Sequence, residues 1–274
     1  MMMLRQFLHQ LLGSWLQTDT NHLGLAVLVF ALYYCTLCWL WIKKAAGSEA
    51  LPELRSISGL DALDEAIGRA TEMGRPVLFN IGSGGLGSAG MAAIAVLGQT
   101  AAKIARYDTQ MITVARGESL IPVAENTLRQ AFTDADKPDA PSIKDVRFIS
   151  SDQFTYASGV VGILHREHCA AHLMFGDFYA ESLILAEGGC DIGAIQVAGQ
   201  TNNIQTPFFV ACCDYTLLAE EIYVASAYLT KNRTSIATIV TQEYGKMFFF
   251  VLIVLGTICN TLGSNLFLDL LTLY

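Results

Sequence analysis

The chain has 274 residues, of which 53% are hydrophobic and 15% are charged, and its formal net charge is −8. This balance argues against a nucleic-acid partner, because phosphate binding needs a clustered basic face and the sequence shows none. The length allows one sizeable core, and the hydrophobic excess lies mainly at the two ends. The seven cysteines stand among apolar or small residues, which predicts reduced, packed thiols rather than a disulfide framework.

The N-terminal end predicts two membrane-associated helices. Over residues 1–20, leucine, phenylalanine and tryptophan recur at the spacing of one helical face, which indicates an amphipathic interfacial helix on a membrane or a partner. Residues 22–42 form the first predicted transmembrane helix, because a run of this length without Asp, Glu, Lys or Arg spans the roughly 30 Å hydrocarbon layer. The run is too long for a cleaved signal peptide, and Lys43 and Lys44 follow it as an interfacial anchor would.

The C-terminal end predicts a second transmembrane helix over 247–267, after a connector at 233–246 and before a tail at 268–274. The alternative is a buried hairpin, because asparagine, serine and aspartate interrupt the apolar run. A span is favoured, with these polar residues near the far interface or on a helix contact. The lysines that flank both spans predict that the two termini lie outside and the middle of the chain lies in the cytosol.

Between the spans, a linker at 43–58 leads into a predicted cytosolic domain over 59–232. Its short apolar runs alternate with helical patterns, as in a parallel sheet covered by helices on both faces. The predicted strands are 77–81, 111–115, 146–149, 172–175, 194–198 and 208–212, and the predicted helices are 60–73, 91–106, 120–132, 152–168, 178–187 and 215–229. This α/β pattern predicts a Rossmann-like, mostly parallel, doubly wound sheet whose strand order stays open.

A glycine-rich loop at 82–90 follows the first predicted strand. Gly82, Gly84 and Gly87 match the spacing G-x-G-x-x-G, which in a Rossmann unit brings backbone amides to a pyrophosphate at a helix N-terminus. The match alone is weak, because glycines also make tight turns. The loop is also longer than the fingerprint needs, since three further residues come before the strongly periodic helix.

Ligands of an open parallel sheet lie beyond the carboxyl ends of its strands. That rule nominates a polar rim, whose predicted ligand-binding residues are Gly82, Ser83, Gly84, Gly87, Arg116, Glu118, Ser150, Asp177 and Asp214. Arg116 follows the second strand, where a dinucleotide fold normally has an acid for the ribose, so Arg116 is expected to meet a phosphate instead. The rim suits a nucleotide or another phosphorylated ligand, although the same residues also serve as turns and helix caps.

Neither a metal site nor a nucleophile is predicted. His165, His168 and Cys169 are close in sequence, but the chain turns from helix to strand there, and zinc needs three or four converging ligands. Ser83 and Ser88 are the best-placed serines, and neither lies in the G-x-S-x-G pattern of a nucleophile elbow. No catalytic residues can be assigned, and the sequence favours a non-enzymatic role.

Long stretches of the predicted domain, among them VRFISSDQFTYASGVVGILHRE and MFGDFYAESLILAE, resemble an uncharacterised bacterial family of membrane-associated proteins of unknown function. The resemblance covers most of the domain. It implies a bacterial origin, and with the two predicted spans it predicts the bacterial cytoplasmic membrane as the location. No activity and no catalytic residue come with it.

Two functions remain open at this level. The first is structural: the α/β domain self-assembles as a homo-oligomer or scaffolds a larger complex with other membrane proteins, because small residues such as Ala92, Ala101 and Gly188 allow close packing. The alternative is a membrane-tethered nucleotide-binding sensor or enzyme that uses the loop at 82–90. The lipid bilayer is a partner in both. No cofactor is assigned, and a nucleotide is the candidate ligand of the second.

Overall fold

The computed structural model describes residues 21–46, 58–140, 145–230 and 233–262. The predicted interfacial helix at 1–20, most of the linker at 43–58 and the tail at 268–274 lie outside the described residues. The chain divides into two compact units, of which one contains Met1–Pro52 and Arg233–Tyr274 and the other contains Glu53–Asn232.

Helices and strands alternate along the second unit. In chain order the described elements are α1 (Asn21–Ala46), α2 (Ser58–Met73), β1 (Val77–Gly82), α3 (Ser88–Tyr107), β2 (Met111–Ala115), α4 (Leu120–Asp134), β3 (Val146–Phe148), α5 (Gln153–Glu167), β4 (Ala171–Asp177), α6 (Ser182–Asp191), β5 (Ile195–Gln200), α7 (Thr206–Cys212), β6 (Tyr215–Leu218), α8 (Glu221–Thr230) and α9 (Arg233–Thr261). Of these elements, α1 and α9 belong to the first unit.

The six strands form one parallel sheet in the order β3-β2-β1-β4-β5-β6. β1 is central, because Val77 pairs with Met111 of β2 on one side and with Ala171 of β4 on the other. The chain first winds outward from β1 to one edge and then returns to build the other, so its direction reverses between β1 and β4. The prediction of an α/β fold is confirmed.

Two hydrophobic cores fill the space between the sheet and its helices, one on each face. On the first face, α2, α3, α4 and α8 pack against strand residues that include Phe79 and Phe175, whose rings stack 5.7 Å apart. On the second face, α5, α6 and α7 pack around Phe178 and Phe209, whose rings meet edge-on at 5.3 Å. The continuous apolar strands are therefore covered on both sides, as a parallel sheet requires.

The chain between 205 and 230 differs from the predicted pattern. Residues 208–212, predicted as a strand, lie in α7, which has a proline in its first turn. Proline favours a helix start and cannot donate to a sheet ladder. The sixth strand is β6, and the helix predicted at 215–229 begins only at Glu221. The prediction was wrong because a short apolar run fits a buried strand and a helix equally well.

The first unit contains two antiparallel helices. Trp41 of α1 stacks on Tyr244 of α9 at 5.5 Å, and the Tyr33 ring lies 4.9 Å from that of Phe248, so the two helices run in opposite directions. Two described helices are long and apolar enough to cross a membrane, namely α3 and the Arg233–Cys259 part of α9. The α3 stretch is mostly buried in the first core, whereas the α9 stretch is mostly exposed. Membrane placement of α1 and α9 stays a prediction.

Candidate functional site

The carboxyl ends of β1 and β4 meet at the glycine loop. The backbone turns at Gly82, whose φ of +87° suits glycine, and a Cβ there would lie 2.7 Å from the carbonyl oxygen of Asp177. The same carbonyl oxygen accepts a hydrogen bond from the N–H of Ser83 at 2.7 Å. A Cβ on Gly84 would lie 2.9 Å from Oδ2 of Asp177. These four predicted site residues therefore lie together where the strand order reverses.

Helix α3 begins at Ser88, directly after the third glycine of the fingerprint. The prediction of an overlong loop was wrong, because Ala89 and Gly90 belong to the first turn of the helix. Gly87 is the N-cap residue, and no side chain of the described residues caps the helix. Since the first N–H groups of a helix have no intrahelical partner, α3 turns uncapped donors and the positive end of its dipole towards the loop.

Arg116 contacts the loop from the β2 side, and Ser150 lies after β3, the strand next to β2. The N–H of Arg116 donates to the carbonyl oxygen of Gly82 at 3.4 Å, and its Nε donates to the carbonyl oxygen of Ser151 at 2.8 Å. The Ser150 hydroxyl oxygen accepts a hydrogen bond from the N–H of Asp152 at 3.1 Å, which shapes the turn before α5. The backbone of Arg116 thus contacts the glycine loop, and its side chain contacts the turn before α5.

A fully buried acid, Glu181, lies beside the loop on the β4 side. Its two carboxyl oxygens accept hydrogen bonds from Oγ of Ser83 and Nε2 of Gln153. Within the described residues, no lysine, arginine or histidine forms an ion pair with Glu181. The carboxyl group of Glu181 is thus held inside the fold by two neutral donors.

A second polar layer lies on the second face of the sheet. Oδ1 of Asn80 accepts hydrogen bonds from the Tyr156 hydroxyl at 2.6 Å and from the N–H of Gly82 at 2.9 Å. Burial raises the pKa of Tyr156 well above its usual value, and the negative charge of Glu181 adds to the effect, so Tyr156 is a neutral donor. Nδ2 of Asn80 and both polar side-chain atoms of Gln200 are buried without a partner in the described residues.

Sequence reasoning missed two of these buried polar residues, Asn80 and Glu181. A signal existed for Asn80, because it interrupts an apolar strand, and a polar residue in a strand buried on both faces needs a partner or a ligand. Glu181 carried no such signal. The predicted helix at 178–187 placed it among ordinary helical acids, whereas α6 begins at Ser182 and Glu181 lies in the preceding turn.

The family comparison assigns the chain without assigning an activity. The model of one family, described as a domain of unknown function (DUF6754), matches residues 17–271. The chain belongs to this family. The expected membership of an uncharacterised family is confirmed, and the DUF6754 match extends over both units. No curated protein and no solved structure matches the chain.

Two predicted site residues of this DUF6754 member lie apart from the contacts at the loop. Asp214 precedes β6 at the amino edge of the sheet, where its carboxylate accepts a hydrogen bond from the N–H of Gln196 at 2.8 Å. Its predicted place at the carboxyl edge was wrong, because it depended on a last strand at 208–212. The Glu118 side chain is exposed, and among the described residues only its backbone is hydrogen-bonded, within the turn that begins α4.

The DUF6754 chain also has a surface groove of about 380 Å³ between α3 and α4. Its lining includes Met91 and Gly98 of α3 and Thr127 of α4, and Thr230 of α8 also contributes to it. Its lining contains neither the fingerprint glycines nor the buried acid. The chemically distinctive groups are therefore those at the carboxyl ends of β1 and β4.

The cysteines and histidines of the described residues include no set that could hold a metal ion, and two of the thiols stay protonated. No three histidine, cysteine, aspartate or glutamate side chains of that part are placed to hold a metal ion. Burial raises the pKa of Cys169 to about 12 and also raises that of Cys213, so neither is a thiolate near neutral pH. His168 is an exposed C-cap residue of α5 with a left-handed φ of 51°.

Proposed function

We propose that this protein is a membrane-anchored binder of a phosphorylated small molecule of nucleotide type, which lies at the glycine loop between β1 and β4. The observation that carries the proposal is the uncapped N-terminus of α3, which begins directly after the fingerprint glycines. In Rossmann-like sheets with this strand order, the same turn holds a pyrophosphate.

The charges around the loop favour one orientation of the ligand. Arg116 follows β2 and supplies a guanidinium for a phosphate. Asp177 lies on the β4 side, where its carboxylate repels a phosphate and accepts hydrogen bonds from ribose hydroxyls. The ligand therefore places its anionic groups over α3 and Arg116 and a hydroxyl-bearing group over β4.

The scaffold hypothesis receives less support from the packing. It relied on small residues for contacts between molecules, but Ala92, Ala101 and Gly188 are buried within the second unit. A Cβ on Gly188 would lie 2.6 Å from Val161, so this glycine serves the contact between α5 and α6. Homo-oligomerisation and a role in a larger complex stay predictions.

We also propose that α1 and α9 cross the bacterial cytoplasmic membrane as an antiparallel pair, with both termini outside and the α/β unit in the cytosol. Large apolar side chains on these helices are exposed, among them Leu32 at 60%, Phe250 at 65% and Ile253 at 65%. A bilayer would cover such a surface. The Lys43 ammonium lies 4.0 Å from the centroid of the Trp39 ring, a pairing typical of a membrane interface.

Nucleotide binding to the full chain tests the proposed function. The protein in mild detergent is heated with and without a panel of mononucleotides and dinucleotides, and a ligand at about 100 times its Kd stabilises the fold by about 2.7 kcal/mol. Arg116→Ala should reduce the increase in Tm. Arg129→Ala removes an exposed arginine from α4 and should leave it unchanged. No increase with any nucleotide, or equal increases in both variants, contradicts the proposal.

A further inference from the structure

Gln200, the last residue of β5, has a side-chain amide without a partner. The residue is fully buried, and neither Nε2 nor Oε1 forms a hydrogen bond in the described part of the chain. Gln196 provides a comparison on the same face of the same strand, four residues earlier. It is equally buried, and its Nε2 donates to the carbonyl oxygen of Ala186 at 2.7 Å. The fold satisfies one glutamine of the strand and leaves the other unsatisfied.

An unpaired buried amide destabilises a fold, and an apolar side chain of the same shape would suit the position better. Residues that oppose stability in this way are expected at functional sites. Gln200 also borders the proposed ligand site. The hydroxyl of the next residue, Thr201, donates to Oδ1 of Asp177 at 2.5 Å, and Asp177 lies against the glycine loop.

We propose that Gln200 determines ligand specificity by pairing with a planar edge that carries a donor and an acceptor side by side, as a nucleobase or a carboxamide does. This inference rests on the proposed function. β5 is the second strand from β1, and neighbouring strands lie about 4.8 Å apart, so the planar edge lies about 10 Å from the phosphate at the loop. A nucleoside attached to that phosphate spans this distance.

The ligand reaches Gln200 when the turn after β5 opens, because the residue is fully buried in the ligand-free protein. In the described residues, three hydrogen bonds hold this turn to the chain around the end of β4: the one from Thr201 to Asp177, one of 2.9 Å from Oγ of Ser182 to Oε1 of Gln205, and a longer one of 3.5 Å from Nδ2 of Asn202 to the carbonyl oxygen of Phe178. Ile204 at the tip of the turn is 78% exposed. Local opening therefore breaks few contacts and leaves the core intact.

Two methionine variants of the full chain in detergent separate a binding role from a structural one. Gln200→Met replaces the unpaired amide by an apolar side chain of similar shape and should raise the Tm of the ligand-free protein by about 2–4 °C. Gln196→Met, the matched control, removes a satisfied amide and should lower the Tm. A decrease in Tm for Gln200→Met like that of the control would overturn the inference, since it would mean that Gln200 is satisfied by bound water.

Ligand discrimination provides the second measurement. Nicotinamide adenine dinucleotide is compared with its acetylpyridine analogue, which lacks the carboxamide donor, and ATP is compared with purine riboside triphosphate, which lacks the adenine amine. Wild type should prefer one of the two complete ligands over its analogue by about tenfold or more in Kd, and the preferred pair identifies the planar group. Gln200→Met should abolish that preference, whereas Arg116→Ala should weaken the binding of the complete ligand and of its analogue by the same factor.

The outcomes distinguish the inference from the function on which it rests. If Arg116→Ala weakens nucleotide binding but Gln200→Met keeps the preference, the inference about Gln200 is overturned and the proposed function stands. If wild type binds no nucleotide, the proposed function fails and the inference fails with it.

Discussion

Acidification should destabilise the α/β unit through one buried histidine. His172 of β4 is fully buried, its Nδ1 lies 3.3 Å from Oε1 of Gln196, and its Nε2 has no partner among the described residues. Burial lowers the pKa of His172 from 6.5 to about 4, and the hydrogen bond to Gln196 opposes this shift. Between these two pH values, the unfolded chain binds a proton that the folded chain does not.

The sign follows from proton linkage. Because the folded-state pKa of His172 lies below the unfolded value, its full contribution to stability is present above pH 6.5 and is lost as the pH falls towards 4. Each pH unit corresponds to about 1.4 kcal/mol. Wild type should therefore lose about 3 kcal/mol of unfolding free energy between neutral pH and pH 4 through this residue. His172→Leu removes the titrating group. The variant's unfolding free energy should therefore depend less on pH in this range, whatever the substitution does to stability at neutral pH.

Urea unfolding of the full chain in detergent, followed by hydrogen exchange in the β4 peptide, measures the unfolding free energy at each pH. The β4 peptide reports on the second unit alone, so unfolding of the first unit does not obscure the transition. His165→Gln removes an exposed histidine of α5 and should keep the wild-type slope. If His172→Leu loses as much unfolding free energy below pH 6.5 as the wild type does, another group titrates and the reasoning about His172 is refuted.

Three further predictions concern the loop and the second core. Gly82→Ala should destabilise the protein by about 1–3 kcal/mol in thermal unfolding, because φ is +87° and the new Cβ would meet a β4 carbonyl, whereas Gly85→Ala has open space and should be close to neutral. Tyr156→Phe should destabilise it by about 1–2 kcal/mol, because a buried acceptor loses a donor, and an unchanged Tm would show that this bond contributes nothing. On alkylation followed by mass spectrometry, the exposed Cys190 should react while the buried Cys169 stays protected, and equal rates would contradict the burial of Cys169.

The fold was largely predictable because most elements carry unambiguous patterns. Strands such as β1 and β2 are continuous apolar runs, and α4 and α5 have periodic apolar faces, so their positions agree with prediction within a few residues. The helix over residues 208–212 was not predictable in this way, because its apolar run fits a strand as well as a helix. Pro207 was the main cue against a strand. That one error also moved the last strand and placed Asp214 at the wrong edge of the sheet.

The candidate site was predictable only in its backbone. Glycine spacing identified the turn between β1 and α3, but no local pattern reveals which side chains from distant loops meet there. The contacts of Glu181 with Ser83 and Gln153 join residues far apart in sequence and depend on the order in which the strands are arranged. Alternation of strands and helices leaves that order open.

The most direct test of a phosphate at the N-terminus of α3 is the nucleotide-dependent increase in Tm of Gly87→Asp. Gly87 has an extended backbone, with φ −77° and ψ −179°, and no atoms lie within 4 Å of a Cβ placed there, so an aspartate fits and can cap the helix. Without ligand, the variant should match or exceed the wild-type Tm. With nucleotide it should show no increase, because its carboxylate occupies the free N–H groups and repels a phosphate. If nucleotide increases the Tm of this variant as much as that of the wild type, the result would contradict the proposed site.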